Sequence, residues 1–347
     1  VYSEAPSDNI INRPKQSPAD FDWNSAYGLY TQGEQWMNQK IYDKAETFLL
    51  AALKKEPYLV PALTDLASLY YRQGRYDEAL ARCKTALSVN TYDGNANYMY
   101  GMCNKVLGNN TDAKDGFSIA YSLAVRSAAY EKLAEMFMLD KNWAKAEHYA
   151  LLSKEFNTQN LSADHALMVI YRKMNQPEKA KALIDSVLEN LPLYHAARFE
   201  RFYQGGEKAM ADFKSMIRNE LPAQTYMELA EWYESVGCTD EAVTLLSCAG
   251  DYPIALYRKA FLLHQSGNDA ESRGLLQRAE SLSPSMVFPF RPSSLKALEW
   301  AKTEKPNWKI DYYEALIWWA NQNKAKALQL LEACGDVDYA PLYICLL

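Results

Sequence analysis

The sequence predicts an all-α solenoid of about nine helical pairs, and three observations lead there. Alanine recurs at Ala45, Ala79, Ala113, Ala146 and Ala180, with gaps of 34, 34, 33 and 34 residues. Apolar residues at helical spacing flank each alanine on both sides. In the clearest period a glycine, Gly74, falls near the middle and divides it into two helices. A unit of two antiparallel helices cannot bury its apolar face alone, so such units stack into a superhelix with a concave surface.

The clearest unit covers residues 60–93, VPALTDLASLYYRQGRYDEALARCKTALSVNTYD. Leu63, Leu66, Ala67 and Tyr70 share one face of a first helix. Gly74 ends that helix, because the left-handed turn there carries no Cβ penalty for glycine. Tyr76, Ala79, Cys83, Ala86 and Leu87 form the inner face of a second helix. Ala67, Ala79 and Ala86 mark places where two helices must approach closely. This unit resembles the tetratricopeptide repeat at nearly every diagnostic position. The resemblance implies a right-handed superhelix whose first helices line the concave groove.

The remaining units follow the same plan. One from Ala26 carries Leu29, Gly33, Trp36, Tyr42, Ala45, Leu49, Ala52 and Pro57. One from Gly94 carries Tyr100, Gly101, Gly108, Ala113, Phe117 and Ala120. A unit near Ser127 has Tyr130, Leu133, Ala134, Phe137, Trp143 and Ala146. Another near Leu161 has Leu167, Tyr171, Ala180, Ile184 and Pro192. Residues 193–221 read as a degenerate unit with Gly205 and Gly206 in place of a normal turn. The pattern resumes from Ala223, again from Pro253, and in a last pair holding Ala315, Trp318, Ala327 and Leu331.

The expected organisation is an irregular lead-in over 1–25, the repeat array over 26–284, a proline-containing insert over 285–307, and a terminal pair with the start of a further helix over 308–347. Pro6, Pro14 and Pro18 interrupt the lead-in, and Pro289, Pro292 and Pro306 exclude regular helix at those points of the insert. The insert carries more apolar surface than a linker does, so it is expected to be ordered. Phe288, Phe290 and Trp300 are expected to pack on the last two pairs, with Arg291 meeting an acidic or carbonyl partner. The apolar ending DYAPLYICLL reads as the opening of another first helix, which suggests a fragment of a longer protein or an improvised cap.

Composition narrows the function classes. Net charge is −6 with a pI near 5.4, so the basic footprint of nucleic-acid binding is missing. No apolar run approaches the roughly 20 residues of a membrane span. The six cysteines lack a C-x-x-C pairing. His148, His165, His195 and His264 lie in different units without ligand spacing. Asp77-Glu78 and Asp240-Glu241 open second helices, where negative charge suits the helix dipole. Gly205-Gly206 lacks a phosphate-loop signature. No catalytic residue, metal or cofactor is therefore expected.

The resemblance assigns groove positions to the first helices. Carried onto this chain they include Tyr27, Tyr30, Glu34 and Met37, then Tyr71, then Tyr98 and Lys105. Glu135, His165 and Arg172 follow, and then Glu231, Tyr257 and His264. Aromatic and Met side chains on an open face suit protein or peptide binding; the bland alternative is that the tyrosines pack across neighbouring helices. Repeats that capture chaperone tails hold a carboxylate with Lys and Asn at fixed groove positions. Here those positions hold Tyr30, Glu34, Asp65, Asn95 and Met99, so that clamp is not made.

The lead-in QSPADFDWNSAYGLYTQGEQ, the insert FPFRPSSLKALEWA and the terminal DYAPLY resemble large bacterial proteins. In these a carbohydrate-enzyme-like N-terminal β-sandwich of unknown function precedes a repeat array. The expected function is a non-catalytic scaffold for protein–protein or domain–domain interaction through the groove. The partner is a protein, a peptide or the missing N-terminal domain. The alternatives are the accessory half of a carbohydrate-active enzyme and a direct carbohydrate-binding module. The compartment stays open between bacterial cytoplasm and periplasm.

Overall fold

A computed structural model describes residues 18 and 20–342, and every regular element among them is helical. The first four pairs are α1 (Ala26–Asn38) with α2 (Tyr42–Lys55), α3 (Val60–Arg72) with α4 (Tyr76–Val89), α5 (Gly94–Leu107) with α6 (Asn110–Ile119), and α7 (Arg126–Leu139) with α8 (Trp143–Phe156). Next come α9 (Leu161–Lys173) with α10 (Pro177–Asn190), and the long α11 (His195–Ser215). Then follow α12 (Pro222–Ser235) with α13 (Thr239–Cys248), and α14 (Pro253–Gln265) with α15 (Asp269–Ser281). A 3₁₀ turn (Pro292–Ser294) and α16 (Leu295–Glu304) precede the last pair, α17 (Trp308–Ala320) with α18 (Lys324–Ala333). The described residues form an all-α superhelix of nine such units, counting α11 as one.

Local chemistry explains the boundaries. Acidic residues sit in the first turn of α2, α4, α10, α13 and α15, where they complement the positive end of the helix dipole. Each turn between a first and a second helix contains one residue at positive φ. That residue is glycine at 74, 108, 237 and 267, but Lys40, Lys141, Asn175 and Gln322 take the same place in other units. Backbone geometry thus repeats more faithfully than sequence; the non-glycine residues accept a strained φ that the flanking helix contacts hold in place. The degenerate unit differs: α11 is two short helices joined at Gly206, whose φ of 59° and ψ of −149° break the helix.

The periodic alanines are fully buried. Ala45, Ala67, Ala79, Ala86, Ala113 and Ala146 expose nothing to solvent, because the helices of a pair touch at these points. Gly116 marks an even closer approach, with its Cβ direction 2.8 Å from the Asn97 carbonyl oxygen. The apolar core falls into separate clusters. One runs from Ala45 to Cys103 within α2–α5, and the largest runs from Ala134 to Leu342.

The superhelix curves far enough to meet itself. Lys324 at the start of α18 pairs with Asp43 of α2 at 2.9 Å, 281 residues away in the chain. A Cβ on Gly74 would lie 2.5 Å from the Trp318 ring of α17. Further in, Leu139 at the end of α7 approaches Gly237 after α12. The inner walls of the early and late units therefore face each other at contact distance.

Within the insert, α16 packs against α14 and α17 in the layer of first helices. Of the lead-in, residues 18 and 20–25 form turns, ending at Ser25, which caps α1 by accepting from the Gly28 amide at 2.9 Å. The rest of the lead-in expectation lies outside the described residues. Residues 340–342 are helical, and the remainder of the expected further helix likewise lies outside. Among the described residues no helix is long and apolar enough to cross a membrane.

Candidate functional site

Four of the expected groove residues are held by one another and by later units. On α5, Lys105 Nζ lies 2.6 Å from Glu135 Oε2, and on α7 Lys132 Nζ lies 2.7 Å from Glu135 Oε1. Trp232 of α12 donates its indole N–H to the same Oε1 at 3.3 Å. The His165 ring on α9 stacks on Trp232 at 3.8 Å between centroids, and its Nε2 is 3.0 Å from the Tyr233 hydroxyl. Tyr233 gives its proton to Glu200 Oε1 at 2.6 Å. The Tyr233 oxygen therefore accepts from His165, which fixes the neutral Nε2–H tautomer.

The network continues through Arg172. Its Nε and Nη2 grip both oxygens of Glu200 at 2.7 and 2.9 Å, and its Nη1 reaches Glu241 Oε1 at 2.9 Å. Lys173 joins Glu241 at 2.6 Å, and the Arg172 guanidinium lies 4.0 Å over the Tyr203 ring. Burial costs each ion part of its hydration, and the pairings offset that cost. Burial pushes the Glu135 carboxyl up, but Lys132 and Lys105 outweigh it and hold the group at about 2. Burial lowers His165 to about 3, with Arg172 adding to the effect and Glu135 opposing it.

These contacts correct the expectation of an open groove along the middle units. Glu135 and His165 are buried, Tyr257 is only 1% exposed, and Lys105 and Arg172 are mostly covered. Superhelical curvature brings α12 against α7 and α9, so these side chains serve as internal mortar. Glu241 is likewise more than a dipole complement, since it accepts from Arg172 and Lys173. Glu200, Trp232, Tyr233 and Glu241 were missed as partners of the groove residues. Their pairings join residues 28 to 97 positions apart, for which a 34-residue pattern carries no signal.

The N-terminal end of the inner face is different. Trp23, Phe21, Tyr27 and Tyr30 form an aromatic ladder in that order: Phe21 lies edge-on to Trp23 at 4.8 Å and to Tyr27 at 6.4 Å, and Tyr27 is tilted against Tyr30 at 5.8 Å. Tyr27 is 58% exposed and Trp23 39%. Met37 is half-buried on the core of the first units. Behind the ladder, Asp65 of α3 is raised to about 6 by burial and by Glu34 of α1. Burial, then Asp65 and Glu34, also push the Tyr30 hydroxyl up. Tyr71 packs edge-on to Tyr76 at 5.3 Å and Tyr98 against Phe117 at 5.8 Å, both half-buried.

At the other end, Trp300 stacks on His264 at 5.0 Å and meets Phe261 at 5.6 Å. The α16 helix thus covers groove positions that α14 would otherwise present. Arg291 pairs with Glu228 at 3.2 Å and reaches Glu231 at 3.8 Å. Phe288 and Phe290 do not pack as expected: they are 55% and 44% exposed. The prolines keep this segment out of a helix, and its inward positions go to Val287 and Pro289 instead. Phe288 lines a nearly all-apolar hollow of about 310 Å³ with Tyr312, Leu316, Trp319 and Pro341.

Among the described residues no group of three His, Cys, Asp or Glu is placed to hold a metal. The described cysteines 83, 103, 238, 248 and 334 are free thiols.

Residues 64–115 match the tetratricopeptide repeat family. No curated protein sequence matches the chain. A tetratricopeptide repeat protein from Parabacteroides merdae is 14% identical, covering 92% of this chain and 97% of its own, with a TM-score of 0.41. The C-terminal part of a repeat-containing protein from Cytophaga hutchinsonii is 16% identical over 78% of this chain and 99% of its own, with a TM-score of 0.44. PilW, described as a widely conserved type IV pilus biogenesis factor, is 20% identical over 51% of this chain and 83% of its own, with a TM-score of 0.45. The matched segment spans most of α3 to α6, and the units on either side repeat its helix–turn–helix geometry.

Proposed function

We propose that the chain is a non-catalytic scaffold that binds a protein or peptide at the N-terminal end of its inner face. The observation that carries this reading is the aromatic ladder Phe21, Trp23, Tyr27 and Tyr30, displayed beside Glu34 and Asp65. Rigid amphipathic rings supply contact area at little entropic cost, and they dominate protein interfaces. The middle of the groove is filled by the protein's own side chains, so a ligand of any size meets the ladder first. The 26–284 array then acts as the rigid support and the 285–307 insert as a plug at the far end.

Selection of a random peptide library on the purified chain tests this. Selected peptides are expected to lose at least about tenfold in affinity on Tyr27→Ala with Tyr30→Ala, a loss of about 1.4 kcal/mol. They are expected to be indifferent to Tyr58→Ala, which removes an equally exposed tyrosine at an inter-unit turn. Peptides that bind the ladder variant as tightly as the native chain would sink the proposal.

A further inference from the structure

Three helices at the late end of the array enclose a hollow of about 420 Å³, apart from the aromatic ladder. Each helix contributes residues one turn apart, as neighbours on a helix face are. Glu299 and Lys302 come from α16, Glu314 and Trp318 from α17, and Lys326 and Leu330 from α18. Glu314 is the most deeply buried ionisable group among them, with a side chain only 6% exposed.

This carboxyl lacks the partner that burial calls for. Its Oε1 has no hydrogen-bond partner among the described residues. Lys302 Nζ stands 3.7 Å from its Oε2, beyond hydrogen-bond reach, and bonds to Asp311 instead. A buried carboxylate without a bonded cation costs stability, and such groups cluster where proteins bind or react. The surrounding charges do not balance either. Burial raises the Glu314 carboxyl most; Lys302 and Lys326 lower it, and Asp311 and Glu299 raise it. Three carboxylates therefore share two ammonium groups, one cation short.

We propose that this hollow binds a primary ammonium group on an alkyl stem, of the kind a lysine side chain carries, with Glu314 Oε1 as the atom that receives it. One free oxygen takes one N–H donor. A guanidinium grips both oxygens of a carboxylate, and here Oε2 faces Lys302. Trp318, one turn from Glu314, offers a ring face to the charge, and Leu330 offers an apolar wall to the stem. Lys326 already places an ammonium 5.5 Å from the Trp318 ring centroid. Oε1 is buried, so a rotamer change of Glu314 or of the exposed Lys326 brings it to the ligand. Only the source of the ammonium, a lysine of a protein or peptide partner, rests on the function proposed above; the site itself does not.

Saturation-transfer NMR on the full chain reads the outcome with two probes. Nα-acetyl-lysine methylamide carries the ammonium, and Nα-acetyl-norleucine methylamide has a similar stem without it. At pH 8 the native chain is expected to bind the lysine probe at least about tenfold more tightly than the norleucine probe. Glu314→Gln keeps the shape and removes the charge, so it is expected to lose at least about tenfold in affinity for lysine. Lys326→Met removes a competing ammonium and is expected to tighten binding. An ammonium needs the ionised form of Glu314, a group raised to about 7. Affinity in the native chain is therefore expected to be about tenfold weaker at pH 6 than at pH 8.

Equal affinity for the two probes would overturn the site, as would native-like lysine binding by a helical Glu314→Gln chain or weaker binding by Lys326→Met. If Glu314→Gln loses helicity, the comparison of pH 6 with pH 8 on the native chain decides, and a flat profile overturns the site. Tyr27→Ala with Tyr30→Ala lies outside the hollow and is expected to leave lysine binding unchanged. Failure of the peptide selection would leave this result untouched, so the two proposals fail separately.

Discussion

The indole N–H of Trp232 points at Glu135 Oε1 from 97 residues away, at 3.3 Å, and this bond joins the fourth unit to the unit that follows the degenerate one. It exists because the superhelix curves tightly enough to bring α12 onto α7. Trp232→Phe removes the donor and keeps a ring for His165 to stack on. Glu135 retains both lysines, so the expected loss is about 1 kcal/mol, read as a lower denaturant midpoint with an unchanged slope. No shift would mean that the bond contributes nothing to stability.

Arg172 is the junction of the network. Arg172→Ala leaves Glu200, whose side chain is 1% exposed, with only the Tyr233 hydroxyl. Stripping a buried carboxylate of its cation costs roughly 3–5 kcal/mol. Pairing it with Glu200→Gln should recover much of that loss, because the stranded charge is gone. A double variant as unstable as the single one would show that packing, not charge, is what Arg172 supplies.

His165 gives the protein an acid weakness. The unfolded chain takes a proton on this residue near its ordinary value of 6.5, while the folded protein resists to about 3. The unfolded state therefore binds more protons throughout that window. This contribution to stability is full above about pH 6.5 and is lost as pH falls, at up to about 1.4 kcal/mol per pH unit. His165→Gln should flatten the stability profile between pH 6 and 4, as followed by thermal melts. An equally steep variant profile would assign the acid loss to other groups.

Glu314 has the opposite sign. Burial raises it from 4.5 to about 7, with Asp311 and Glu299 adding and Lys302 opposing, and its Oε1 has no hydrogen-bond partner among the described residues. Its ionised form is disfavoured in the fold, so stability falls as pH rises from about 4.5 to 7 and stays flat above. Glu314→Gln should leave the protein little changed at pH 5. At pH 8 it should stabilise by up to roughly 3 kcal/mol. A stabilisation independent of pH would refute this account.

Ala79 faces no solvent at all. Ala79→Leu should overpack the contact between α3 and α4 and cost roughly 1–3 kcal/mol. Units couple mainly to their neighbours, so hydrogen exchange should quicken from α1 to α6 and spare α12 to α15. Uniform loosening would contradict nearest-neighbour coupling.

Much of the fold was legible before any coordinates. The alanine period marks the contact points, and the buried Ala45, Ala79, Ala113 and Ala146 occupy them. The turn at Gly74 was readable because glycine announces positive φ. The equivalent turns at Lys40, Lys141, Asn175 and Gln322 were not, since the flanking helices impose that conformation on residues that do not advertise it. Trp300 lies against Phe261 and His264, and Arg291 pairs with Glu228. Phe288 and Phe290 stay largely exposed, because hydrophobicity alone does not say which face of an extended segment turns inward.

The sequence by itself determined the helical pairs, their period and which small residues lie where helices touch. These depend on neighbours within one unit or between adjacent units, and a 34-residue pattern records such contacts. Tertiary structure alone decided that Glu135, His165 and Arg172 face their own chain rather than a ligand, and that Asp43 meets Lys324. Those pairings depend on curvature summed over many units. A small rotation per unit leaves no mark on any single repeat, yet its total sets which distant walls come within hydrogen-bonding reach.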